Sequence, residues 1–100
     1  MTEKISHSTG NVFEDLGFPR EEAENLKVRS ALMAIIRAIL EEEGRTQARA
    51  ADLFGVTQPR ISDLVRGKIE LFSIDALVNM VAASGRHVDI SIETPKVEAA

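Results

Sequence analysis

Cysteine, tryptophan and tyrosine are absent from the 100 residues, and the only aromatics are four phenylalanines. Without thiols there is no disulfide framework, thiolate nucleophile or thiolate metal site. An apolar fraction of 44% with so few rings describes an aliphatic, helical core, and the length suits one domain. No apolar run nears the ~20 residues that cross a bilayer, and the N-terminus lacks the apolar stretch of a secretory signal. A cytoplasmic chain with no membrane partner is expected. A glycine-rich phosphate loop and a His/Cys cluster are also missing, and His7 stands without companions, so neither metal nor cofactor is expected. Ser84, His87 and Asp89 are the residue types of a hydrolytic triad. His87 and Asp89 would share one strand face, however, with Ser84 at a helix end, and no nucleophile–base–orienter line forms. The paired glutamates fall on exposed helical turns where nothing raises a carboxyl pKa. No catalytic residue is expected.

What is present begins with a polar, unpatterned stretch over residues 1–10, expected to be a mobile arm, either plainly disordered or ordering on a partner. Asn11 can cap a short helix that closes near Gly17, with Val12, Phe13 and Leu16 on one docking side. Pro19 then opens a long helix with Glu21, Glu22 and Glu24 in its first turns, where carboxylates complement the helix dipole. Leu26, Val28, Leu32, Ile35, Ile36, Ile39 and Leu40 recur at helical spacing and are expected to face the core, with Met33 as filler. The helix ends in Glu41-Glu42-Glu43-Gly44, carboxylates at the end where the dipole opposes them. They form a solvated end, a contact for a basic partner, or a repulsive patch that orients DNA.

From Thr46 to Lys68 the pattern is two short helices around a corner. Thr46 and Thr57 are placed to cap them, and Gly55 offers the positive φ of the turn between. Ala51 is small enough for the helices to approach, while Ile61, Leu64 and Val65 of the second turn inward before Gly67 ends it. Two helices joined in this way form a helix-turn-helix, whose second helix presents Gln58, Pro59, Arg60, Ser62 and Asp63 outward. The charge distribution agrees. Residues 45–68 carry five basic and two acidic side chains, a net +3, whereas residues 1–44 carry −4 and residues 69–100 carry −3. Attraction to phosphates follows the local field, screened beyond roughly 8–10 Å, so the total of −4 does not decide it.

Thr46-Gln47-Ala48, Ala51, Gly55-Val56-Thr57-Gln58 and Ile61-Ser62 resemble the DNA-binding module of the phage-repressor, Xre-type family. Asn11-Val12-Phe13-Glu14-Asp15-Leu16-Gly17 and Gly67-Lys68-Ile69-Glu70-Leu71-Phe72-Ser73 extend the likeness to its HigA-like branch. These are antitoxins that neutralise a small, basic, RelE-like toxin and repress their own operon. The module covers about a quarter of the chain. One departure is Arg49-Ala50 where the family often has Glu-Leu, which thins the packing at Ala50 and adds a positive charge. The resemblance implies a sequence-specific repressor in a HigBA-like operon. A stand-alone phage-type regulator without a toxin, and a protein-neutralising antitoxin with little DNA binding, fit the same residues.

Roles on double-stranded DNA follow residue by residue. Gln47, aided by Thr46 and the helix dipole, is expected on a phosphate. Gln58 matches adenine N6/N7 and Arg60 matches guanine O6/N7, though either could hold phosphate instead. Pro59 offers an apolar surface to a thymine methyl, and Asp63 can accept from cytosine N4. Thr57 lies at the same helix start, and Ser62 is either a phosphate contact or a surface hydroxyl. Arg66 and Lys68 are expected phosphate clamps.

Ser73 is placed to cap a last helix through Ile74, Leu77, Val78, Met80 and Val81, ended by Gly85. Residues 86–94 then alternate polar and apolar with period two, and Thr94-Pro95 stops them. A lone strand leaves its backbone groups unpaired. The same strand of a second copy, antiparallel across a two-fold axis, is the simplest partner, with Val88, Ile90 and Ile92 facing the helices. Strand addition by a toxin and pairing near Asn11-Val12-Phe13 are the rivals. The expected fold is all-α: a compact helical bundle with a repressor-like helix-turn-helix over residues 11–85. A dimerisation strand at 86–94 and a tail at 95–100 complete it. A two-fold homodimer would bind an inverted-repeat operator with half-sites roughly 34 Å apart.

Overall fold

The computed structural model describes residues 10–94; the first nine residues of the expected arm and the tail at 95–100 lie outside them. Among the described residues five α-helices run α1 Val12–Asp15, α2 Arg20–Glu43, α3 Gln47–Phe54, α4 Gln58–Val65 and α5 Ile74–Ala83. A 3-10 turn, Ile69–Leu71, links α4 to α5. The long α2 is the spine, packed mainly by α1 near its start and by α5, and α3 packs on α4 and α5.

Helix starts and stops follow local chemistry. Asn11 caps α1, its side-chain oxygen accepting from the N–H groups of Phe13 (2.9 Å) and Glu14 (3.3 Å). Pro19 stands at the N-cap of α2, with Glu21 and Glu22 in the first turn, and Gly44 closes that helix in the left-handed conformation. Ser73 caps α5, accepting from the Ala76 N–H at 3.1 Å.

Phe54, Phe72, Ile36, Ile61, Leu64, Leu77 and Met80 are the largest fully buried side chains, so four helices and the 3-10 turn's exit meet in one core. Met33 is buried with them, as expected. Val28 and Ile35 are not: both stay exposed on α2, Ile35 at 52%. Periodicity gives the phase of an apolar stripe, whereas its covered width depends on how many helices pack against it.

The docking of α1 also differs from expectation. Val12 and Leu16 stand 60% and 70% exposed, and the helix is held instead by Phe13 and Asn11. Phe13 meets Phe18 edge-on with ring centroids 6.3 Å apart, and the Asn11 amide donates to Glu24 of α2 at 3.2 Å. Four residues form scarcely one turn, so only one side of α1 can reach the body.

The carboxylates ending α2 find their cations within the chain. Glu43 pairs with Arg45 at 3.1 Å and with Arg86 at 3.5 Å, and Glu42 lies 3.9 Å from Arg86. The hydrogen bond from Arg45, reinforced by both positive charges, holds the Glu43 carboxyl below the usual carboxylate range.

The largest correction concerns residues 86–94, where no strand forms; none occurs among the described residues. Ile90 and Ile92 are 82% and 87% exposed, and Val88 is exposed with them. The physical reason is pairing. The rival partner inside the chain, around Asn11-Val12-Phe13, is taken up in the cap and first turn of α1, so the described residues offer this segment no ladder.

Candidate nucleic-acid interface

The α3–α4 corner is built from backbone bonds that close locally. The Thr46 hydroxyl accepts from the Arg49 N–H at 3.2 Å and so caps α3. At the other end Gly55 adopts φ 68°, its N–H reaches Asp52 O at 3.3 Å, and the Val56 N–H reaches Ala51 O at 2.9 Å. This pair of bonds is a Schellman motif, in which the left-handed residue carries no strain only as glycine. A β-carbon at Gly55 would also meet the Cβ of Ala83 on α5 at 3.4 Å. Thr57 holds the N-cap position of α4 with extended backbone, but its hydroxyl makes no capping bond, contrary to expectation. Pro59 removes one of the two N–H groups such a bond could serve, and the other, on Arg60, goes to the Thr57 carbonyl at 3.1 Å.

Ile61 and Leu64 turn α4 into the core. Val65, expected beside them, is exposed. It borders a shallow hollow shared with Leu40, Gly44, Gln47, Ala50 and Ile61. Ala50 lines that hollow, where a larger aliphatic would fill space. On the opposite side Gln58, Pro59 and Arg66 are exposed, and Ser62 and Asp63 are half-buried between them. Thr46, Gln47 and Arg49 are exposed at the start of α3. The start of α3 and the outer side of α4 are thus both open to solvent, on two helices that pack against each other.

The five cations of the module are not equivalent. Arg45 is engaged with Glu43, and Lys68 lies 3.7 Å from Asp63, which tempers both as free charges. The Arg49 and Arg66 side chains carry no ion pair among the described residues and face solvent. Arg60 turns away from the outer face. Its Nη1 donates to the Leu71 carbonyl at 2.9 Å, and its Cζ sits 4.2 Å from the centroid of the Phe72 ring.

Arg29 on α2 escaped the sequence reading. Its Nη1 donates to the carbonyls of Ile69 (3.2 Å) and Phe72 (3.4 Å), while its Nε donates to Asn25 Oδ1 at 2.6 Å. The only local signal was Asn25 one turn earlier, a spacing at which side chains meet on a helix. Elsewhere, the Ser84 hydroxyl donates to the Val81 carbonyl at 2.7 Å, and His87 and Asp89 are exposed beyond it. Among the described residues no group of three His, Cys, Asp or Glu could hold a metal, and no helix is long and apolar enough to cross a membrane.

Comparison with known proteins agrees with this geometry. Residues 12–93 match a family model described as "Helix-turn-helix domain". A solved chain described as "Putative XRE Family Transcriptional Regulator" is similar to this one with a TM-score of 0.70 and 31% identity. The match covers 79% of this chain and 90% of that one. No curated protein matches.

Proposed function

Because the chain belongs to the Xre-type helix-turn-helix family of DNA-binding transcriptional regulators, we propose that it is a homodimeric repressor of its own promoter and the antitoxin of a HigBA-like operon. The observation that carries the DNA part is the outer surface of α4, where Gln58, Pro59, Ser62, Asp63 and Arg66 face away from a closed core. Base contacts come from Gln58, Pro59 and Asp63, and phosphate contacts from Thr46, Gln47, Thr57, Ser62, Arg66 and Lys68. Lys68 exchanges its distant partner Asp63 for a phosphate oxygen, and Arg49 adds a free positive charge beside α3.

Dimerisation through Val88, Ile90 and Ile92 is supported by their exposure and by the period-two pattern around them. Burying each such side chain contributes about 1.5–3 kcal/mol, so three from each copy together are needed to offset the cost of association. The antitoxin role rests on the likeness over residues 11–17 and 67–73, with the net acidic first half of the chain suited to a basic partner.

A gel shift on the chain's own promoter, with and without the protein encoded next to it, tests this function. Retarded promoter DNA, and a small basic neighbour that co-purifies and changes the shift, are the expected results. Retardation without such a neighbour leaves a stand-alone regulator; no retardation removes the repressor.

A further inference from the structure

Arg60 is the one cation of α4's first turns, and its chemistry suits guanine. Its surroundings assign it another task. The 3-10 turn Ile69–Leu71 ends with three carbonyls that accept from two guanidiniums: Ile69 O and Phe72 O from Arg29 of α2, Leu71 O from Arg60 of α4. Carbonyls at the end of a helical turn attract cations, and a planar guanidinium can donate to them while lying on an aromatic face. Arg60 does both, since Phe72 is fully buried directly beneath it. Swinging out to a base would break the hydrogen bond and the ring contact together. Gln58 and Arg66, by contrast, face solvent and make no side-chain hydrogen bond or ion pair among the described residues.

We propose that Arg60 is a positioning residue that stays docked on Phe72 and the Leu71 carbonyl when DNA is bound. It sets the pitch of α4 relative to α2 through the clamped turn, and sequence is read by its neighbours. This rests on the DNA-binding function proposed above and divides labour within it: Arg60 and Arg29 hold the helix, Gln58 reads, Arg66 and Arg49 neutralise phosphate.

The test starts from duplexes selected in vitro by the wild-type chain from a random double-stranded pool. Affinities of the wild type, Arg60→Met, Arg60→Lys, Gln58→Ala and Arg66→Ala are then measured for every single-base change and at several salt concentrations. Arg60→Met should weaken every duplex by a common factor of roughly ten, leaving base ranking and salt slope unchanged, whereas Arg66→Ala lowers the slope by about one and Gln58→Ala flattens one position. Arg60→Lys, which keeps a cation on the ring but loses the fork, should fall between wild type and Arg60→Met at all positions. In ¹⁵N-labelled protein the ring-shifted Nε–H signal of Arg60 should persist at saturating DNA. In Arg60→Met, flattened preference at one base pair, a lowered slope or unchanged affinity would overturn the proposal, as would loss of the wild type's ring-shifted signal on DNA addition. A pool from which the wild type selects nothing overturns the DNA function itself, whatever Arg60 does.

Discussion

The α3–α4 corner and the segment over residues 86–94 are both short, and both were marked by pattern, yet only one is finished within the chain. At the corner the turn and the core are completed nearby: Thr46 caps α3, Gly55 turns, Val56 bonds back to Ala51, and Phe54, Ile61 and Leu64 close the core. Over residues 86–94 the pattern is equally regular, but its backbone has no ladder, and Ile90 and Ile92 face water. Arg86 alone is anchored, by Glu42 and Glu43 at the end of α2. Local bonding is decided by the neighbours in sequence; strand pairing is decided by which second segment is available.

Breaking the corner should therefore cost folding, and breaking the segment should cost only association. The largest effect is expected for Phe54→Ala, which empties a fully buried site and should destabilise the chain by about 3–5 kcal/mol in urea unfolding. Next, Ile90→Asp with Ile92→Asp should shift the species seen by light scattering from dimer to monomer at tens of micromolar. Unfolding of the dissociated chain should change by no more than ~0.5 kcal/mol, as for other solvent-facing substitutions. A wild type already monomeric there would remove the dimer from the account.

Thr46→Ala sharpens the comparison at smaller scale. It deletes one capping acceptor and should cost about 1 kcal/mol, while Thr57→Ala, whose hydroxyl caps nothing, should leave stability nearly unchanged and weaken DNA binding. The smallest effect belongs to the Glu43 ion pairs. Its carboxyl is held low in the folded state, so its contribution is present above the unfolded-state pKa and is lost as pH falls through the lower folded value. Acid unfolding of Glu43→Gln should accordingly be slightly less steep in that window than wild type.

Much of this fold was legible in residues whose effect is local. Asn11, Thr46 and Ser73 announced helix starts, Gly44 and Gly55 announced stops, and the buried spacing of Ile61 and Leu64 fixed the inward face of α4. The misses share another cause. Val12, Leu16, Ile35 and Val65 are apolar and correctly phased, but exposure depends on what tertiary neighbours cover. Arg29 and Arg60 bond to main-chain carbonyls some forty and eleven residues away, contacts that carry no side-chain signature. Within the candidate interface, sequence located the helix and its polar outer face, while the fold decided that one of its arginines lies back over Phe72 and the Leu71 carbonyl.

The outer face of α4 bears the weight of the account, and the most direct measurement is amide and side-chain chemical-shift mapping on a duplex carrying the selected site. The largest changes should fall on Gln47, Thr57, Gln58, Ser62 and Arg66. Shifts clustered on another surface, with these five unmoved at saturation, would contradict it.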